Sequence, residues 1–176
     1  MAAVLLTGSL TACSMGNRCK DGEVRTLEKG VLKVGMHLSD TPVAHLNQET
    51  GRPAGFAPAL AADVAESLGL SLVIVDTTEK NLLNSLDAKL YDCVIDTVGI
   101  SQWNQKAYEV TAPYADIYYI LEQTDGHEEY PEIGIFGRKH NCLISVIEED
   151  VLQPMIQDGS LSQLSEEYLG KDVIIK

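Results

Sequence analysis

Three acidic residues, Asp40, Glu79 and Asp96, each stand at or just past the end of an apolar stretch, and His37, Thr97, Gly99 and Asn104 keep them company. Carboxylates, a hydroxyl and open backbone gathered at one mouth can hold an amine or another cation through charge and hydrogen bonds. The same carboxylates read equally as solvated loop and cap residues, the commoner fate of Asp and Glu. Other chemistries find less support. His37, His45, His127 and His140 are scattered and form no HExxH-like arrangement, so no metal site is expected. The four cysteines contain no C-x-x-C or Cys/His cluster of metal-ligand spacing. Ser39, Ser101 and Cys93 lack a G-x-S-x-G elbow and a matched base, so no catalytic residue and no cofactor is assigned.

The elements that must position these residues alternate. Val31 to His37 (VLKVGMH) is a strand candidate, and Leu60, Ala61, Val64, Ala65 and Leu68 recur at helical spacing until Gly69. Leu70 to Asp76 (LSLVIVD) is a second, nearly all-apolar strand. A helix burying Leu82, Leu83 and Leu86 follows, with Thr77 or Thr78 able to cap it. Tyr91 to Thr97 (YDCVIDT) is a third strand. This βαβαβ rhythm predicts an α/β fold with a mostly parallel sheet flanked by helices. In such sheets ligands gather beyond the C-terminal strand ends, which selects His37 and Asp40 after strand one, Glu79 after strand two, and Asp96, Thr97, Gly99 and Asn104 after strand three.

Beyond residue 100 the rhythm changes. Ile117 to Leu121 (IYYIL) and Ile133 to Phe136 (IGIF) are strand candidates separated by the acidic segment EQTDGHEEYPE, residues 122–132. Leu143, Ile144, Ile147, Val151 and Leu152 then share a helical face, which Pro154 should kink or end by removing an amide donor. A last amphipathic helix, Ser160 to Leu169, closes at Gly170.

The chain of 176 residues suits a single domain, and its 45% hydrophobic content argues for a packed core. Its formal charge of −13 would repel nucleic acid and anionic lipid headgroups alike. No apolar stretch reaches the roughly 18 to 20 residues of a spanning helix. Residues 1–12 have the composition of an export signal, and Leu10 to Cys13 resemble a bacterial lipobox that would leave Cys13 as a lipid anchor. No Lys or Arg precedes Arg18, where such a signal opens basic; a frayed apolar end is the alternative. Residues 13–29 then read as a flexible tether and 30–176 as one lobe. Cys93, inside an apolar strand, reads as a small core hydrophobe, and the odd number of thiols left after processing discourages a complete disulfide framework.

Four stretches carry a further resemblance: GRPAGFAPALAADVAESLGL (Gly51 to Leu70), LLNSLDAKLYDCVIDTVGIS (Leu82 to Ser101), YEVTAPY (Tyr108 to Tyr114) and DGSLSQLSEEYLGKDV (Asp158 to Val173). Their order resembles the amino-acid-binding type of bacterial solute-binding protein that serves ABC importers, over roughly Gly30 to Asp172. The resemblance implies a periplasmic-binding-protein-like fold of two lobes, yet only residues 122–132 stand where the second lobe belongs. It also implies an Arg at the place of Asn104, gripping a ligand carboxylate, and an aromatic wall where Val43 and His45 stand; Trp103 is the nearest substitute.

The expected function is therefore the exported, lipid-anchored or periplasmic, substrate-binding component of an ABC-type import system. Its solute would be small and polar, an amino acid or amine, with cations favoured over a free α-carboxylate, and its partners the solute and a permease. The alternative is a degenerate single-lobe interaction or dimerisation module, a homodimer formed through the open cleft face. Some relatives of this fold are dehydratases, but no acid or base is identifiable here, so an enzyme is not expected.

Overall fold

The computed structural model describes residues 24–39, 41–117 and 132–176. On one face of strand β1 (Val31–Met36), Leu32, Val34 and Met36 are fully buried, and neighbours pair with it on both edges, so it lies inside the sheet. It pairs in parallel with β4 (Ser71–Asp76) along all six residues and with β5 (Cys93–Val94) on its other side. Helix α1 (Phe56–Ser67) makes the first crossover, and α2 (Leu82–Asp87) the second. A small hairpin, β2 (His45–Leu46) and β3 (Pro53–Ala54), sits between β1 and α1.

The sheet order is β4-β1-β5-β9-β6, with β6 (Tyr108–Val110) and β9 (Phe136–Arg138) both antiparallel to the strand beside them. The α/β lobe expected from the sequence is present, but its sheet is mixed. Strand β9 runs antiparallel to both β5 and β6, so the parallel part of the sheet is β4-β1-β5. Between them β7 (Ala115–Asp116) meets β8 (Glu132–Ile133) in a second small sheet, joined by a bridge from Ala115 to Ile174 near the C-terminus. The strand expected over Ile133 to Phe136 is thus divided between β8 and β9.

Hydrophobic residues cover both faces of the sheet. One cluster joins β1 to α1 and to the C-terminal helices through Leu60, Val64, Ile147 and Leu161; a second joins Leu82, Leu86, Tyr91, Val94, Tyr108 and Phe136. Tyr91 lies against Gly35, where a Cβ would meet the ring at 2.3 Å. Cys93 is the free cysteine among the described residues, buried as expected, and its thiol is pushed up by that burial. Cys142 is disulfide-bonded.

The C-terminal helical run is interrupted next to Pro154 but continues past it. Helix α4 (Leu143–Ile147) passes into a π-turn (Glu148–Leu152) and on into α5 (Gln153–Asp158), so Pro154 does not end it. The wide i→i−5 turn ahead of the proline places the missing amide where the α-helical ladder is already interrupted. Helix α6 (Ser160–Leu169) closes at Gly170 in the left-handed conformation, as the sequence indicates.

The expected signal, Cys13 and the tether as far as residue 23 lie outside the described residues, as do Asp40 and most of the acidic connection. The last stretch assigned to the tether, 24–29, contacts the lobe. Val24 packs against the core, the Leu27 amide donates to Asp92 Oδ1 at 2.6 Å, and Glu28 pairs with Lys33 at 2.8 Å. Asp92 is completely buried and also accepts the Lys33 amide at 2.9 Å, with the Arg138 guanidinium 4.0 Å away.

Candidate functional site

At the C-terminal edge of the sheet, three loops converge because β4, β1 and β5 run in parallel and end together. The loop after β1 carries His37. Its amide donates to Asp96 Oδ2 at 2.5 Å, and the next amide, Leu38, donates to Asp76 Oδ1 at 3.0 Å. Asp96 lies beyond β5, is 5% exposed, and also accepts the Thr97 amide at 2.7 Å. Burial raises its carboxyl above the usual carboxylate range, against the opposing hydrogen bonds from His37 and Thr97 and the nearby His37 side chain.

Glu79 begins a short 3-10 turn (Glu79–Asn81) that leads into α2, which leaves its carboxylate exposed at the rim. Helix α3 (Gln102–Ala107) starts at Ser101 with a reciprocal cap. Ser101 Oγ accepts the Asn104 amide at 3.2 Å, and Asn104 Oδ1 accepts the Ser101 amide at 2.8 Å. Asn104 Nδ2 donates to the Gly99 carbonyl at 2.8 Å. Asn104 is 5% exposed, so its side chain fixes the loop around Gly99 and both of its polar atoms face inward partners.

A cavity of about 320 Å³ opens between these loops, and Glu79, Leu83, Thr97, Gly99 and Trp103 are among its lining residues. Trp103 is 69% exposed and stands edge-on to Tyr108, ring centres 6.5 Å apart. Of the sequence-selected residues, Glu79, Thr97 and Gly99 share this cavity. His37 and Asp96 form the adjoining hydrogen-bonded cluster, Asn104 supports the wall from behind, and Asp40 lies outside the described residues. Sequence reasoning missed Asp76 as a partner of the β1 loop and missed α3 as an element. The signal for α3 was present in the Ser101-x-x-Asn104 spacing. Among the described residues no group of three or more His, Cys, Asp or Glu is placed to hold a metal ion.

The fold and the converging strand ends define one lobe of an α/β ligand-binding protein, with its mouth at the C-terminal edge of the sheet. The chain belongs to the bacterial extracellular solute-binding proteins, family 3, whose profile matches residues 32–171. Among curated relatives, the L-cystine-binding protein TcyJ of Escherichia coli (strain K12) is 30% identical over 112 residues, 64% of this chain and 41% of the relative. The cyclohexadienyl dehydratase of Pseudomonas aeruginosa is 33% identical over 90 residues, 51% of this chain and 33% of the enzyme. This chain thus spans well under two thirds of the length of either. Among solved structures, the arginine-bound form of domain 1 from TmArgBP superposes with a TM-score of 0.59 at 31% identity, covering 71% of this chain and 93% of that domain. The match thus takes in nearly all of that single domain.

Proposed function

We propose that this lobe captures a small polar solute bearing an amine or another cationic group, as the binding component of an ABC-type importer. The observation that carries the reading is the cavity at the strand ends, which brings the Glu79 carboxylate and the exposed Trp103 ring together around the Thr97–Gly99 backbone. A carboxylate and an indole face attract an ammonium or guanidinium by charge and by cation–π contact. The residue that would grip an α-carboxylate is replaced by Asn104, whose polar atoms are held by Ser101 and Gly99. The names of the relatives, an L-cystine binder and an arginine-bound domain, agree with an amino-acid-like solute. Export and anchoring through Cys13 belong to the same reading, and a Cys13→Ser variant is then released from the membrane fraction.

Isothermal titration with a panel of amino acids and polyamines tests the solute. Arginine, lysine or a polyamine binds best if the reading is right; an acidic amino acid binding best overturns it. A second reading, a module that pairs through this face, is favoured by the exposure of Trp103 on an open wall. The two part on whether solute binds to a monomer.

A further inference from the structure

The C-terminal edge of a parallel sheet concentrates backbone amides, and helix N-termini add a positive dipole, so anions bind there readily. In this lobe the donors nearest β1 already have acceptors. The amides of His37 and Leu38 donate to Asp96 and Asp76, and the Ser39 amide donates to the Ala44 carbonyl at 3.0 Å. The N-terminus of α1 is closed as well, because the Phe56 and Ala57 amides donate to the carbonyls of Pro42 at 3.1 Å and Val43 at 2.8 Å. At α3 the reciprocal cap takes the Asn104 amide onto Ser101 Oγ and the Ser101 amide onto Asn104 Oδ1.

Asp76 and Asp96 reach the β1 loop from opposite sides, one from the end of β4 and the other from beyond β5. Asp76 is the register partner of Met36, the last residue of β1, which puts its carboxylate beside the amides that follow. Two consecutive amides are thus held by carboxylates from the two flanking strands. A charged acceptor on an amide makes a stronger bond than a neutral one. An incoming carboxylate would have to displace it and then face its charge.

We propose that Asp76 and Asp96 are specificity-determining positioning residues: they occupy the amides that end β1, fix the loop after it, and exclude anionic groups from the mouth. The proposal deepens the solute reading above and rests on it for its biological meaning, but the clamp itself is a property of the solute-free lobe. Around Asp96 stand His37 from the end of β1, Tyr91 from before β5 and Tyr114 from after β6, each electrostatically coupled to it.

Amide NMR on the full chain tests the clamp without any solute. In a pH titration the His37 amide shifts as Asp96 ionises, with a midpoint above the ordinary 3.8, and Asp96→Asn removes that shift. Asp76→Ala takes the acceptor from the Leu38 amide and moves its resonance; Asp76 is exposed, so this variant keeps the core intact. With acetate as the anionic probe, both amides stay unmoved in the wild type, whereas the Leu38 amide of Asp76→Ala shifts. Acetate perturbing both amides in the wild type overturns the proposal, as does a pH response of the His37 amide that survives Asp96→Asn. Amides that behave as expected in a protein that binds none of the amino acids or polyamines overturn the solute reading and leave the clamp standing.

Discussion

Asp96 holds a carboxylate where the surrounding atoms favour the neutral acid, and the two residues whose amides it accepts, His37 and Thr97, carry the loops of the mouth. Burial raises its folded pKa above the 3.8 of an unfolded chain. The native state therefore keeps this proton over a window in which the unfolded state has released it. The stability this group contributes is fully present below 3.8 and is lost as pH rises through the folded value. Urea unfolding measured across that window should show the decline in the wild type and a flatter profile in Asp96→Asn. Trp103 behaves oppositely, being a large side chain with little packing to lose. Trp103→Ala should change stability by no more than about 0.5 kcal/mol, as for other exposed positions, yet weaken solute binding in calorimetry. Trp103 is the chain's single tryptophan, so its fluorescence in the wild type reports solute at this wall directly.

At the scale of elements, the mouth depends on how closely β1 and the segment before β5 pack. Gly35 leaves room for the Tyr91 ring, and the Tyr91 hydroxyl donates to the Leu82 carbonyl at the start of α2. A methyl group at Gly35 has nowhere to go. Gly35→Ala is expected to destabilise the lobe by about 1–3 kcal/mol through overpacking, read as a lower urea midpoint with an unchanged slope. Gly55 plays a different part, at φ 116, ahead of α1. Its place against the Pro42 and Val43 carbonyls lets the first amides of α1 reach them. The helices α1 and α6 were legible because long apolar periodicity outweighs local detail. α3 and the mixed sheet were not, since a six-residue helix carries little periodicity and antiparallel pairing is decided by the route of the returning chain.

At the scale of the molecule, the cavity beside Trp103 lies at the edge of the described lobe. Tight small-molecule sites bury roughly 70–90% of the ligand surface, which an open mouth with Trp103 at its rim does not reach alone. Solute binding by the monomer is therefore expected to be weak and to strengthen if a second copy covers the face. Light scattering after size-exclusion chromatography, with and without arginine, checks this. A mass that doubles with solute supports the covered site, and a monomer that binds tightly contradicts the argument from burial.

The three parallel strands, the long helices, the family resemblance and the loops that carry His37, Glu79, Asp96, Thr97 and Gly99 were determined by sequence alone, because apolar period and chain order are local properties. Which of those residues line a cavity was decided only in three dimensions. Folding brings Asp96 beneath the His37 and Thr97 amides and Asn104 beneath Gly99. Buried polar atoms must find partners, and whether a partner comes from the protein or from a ligand depends on neighbours that are distant along the chain.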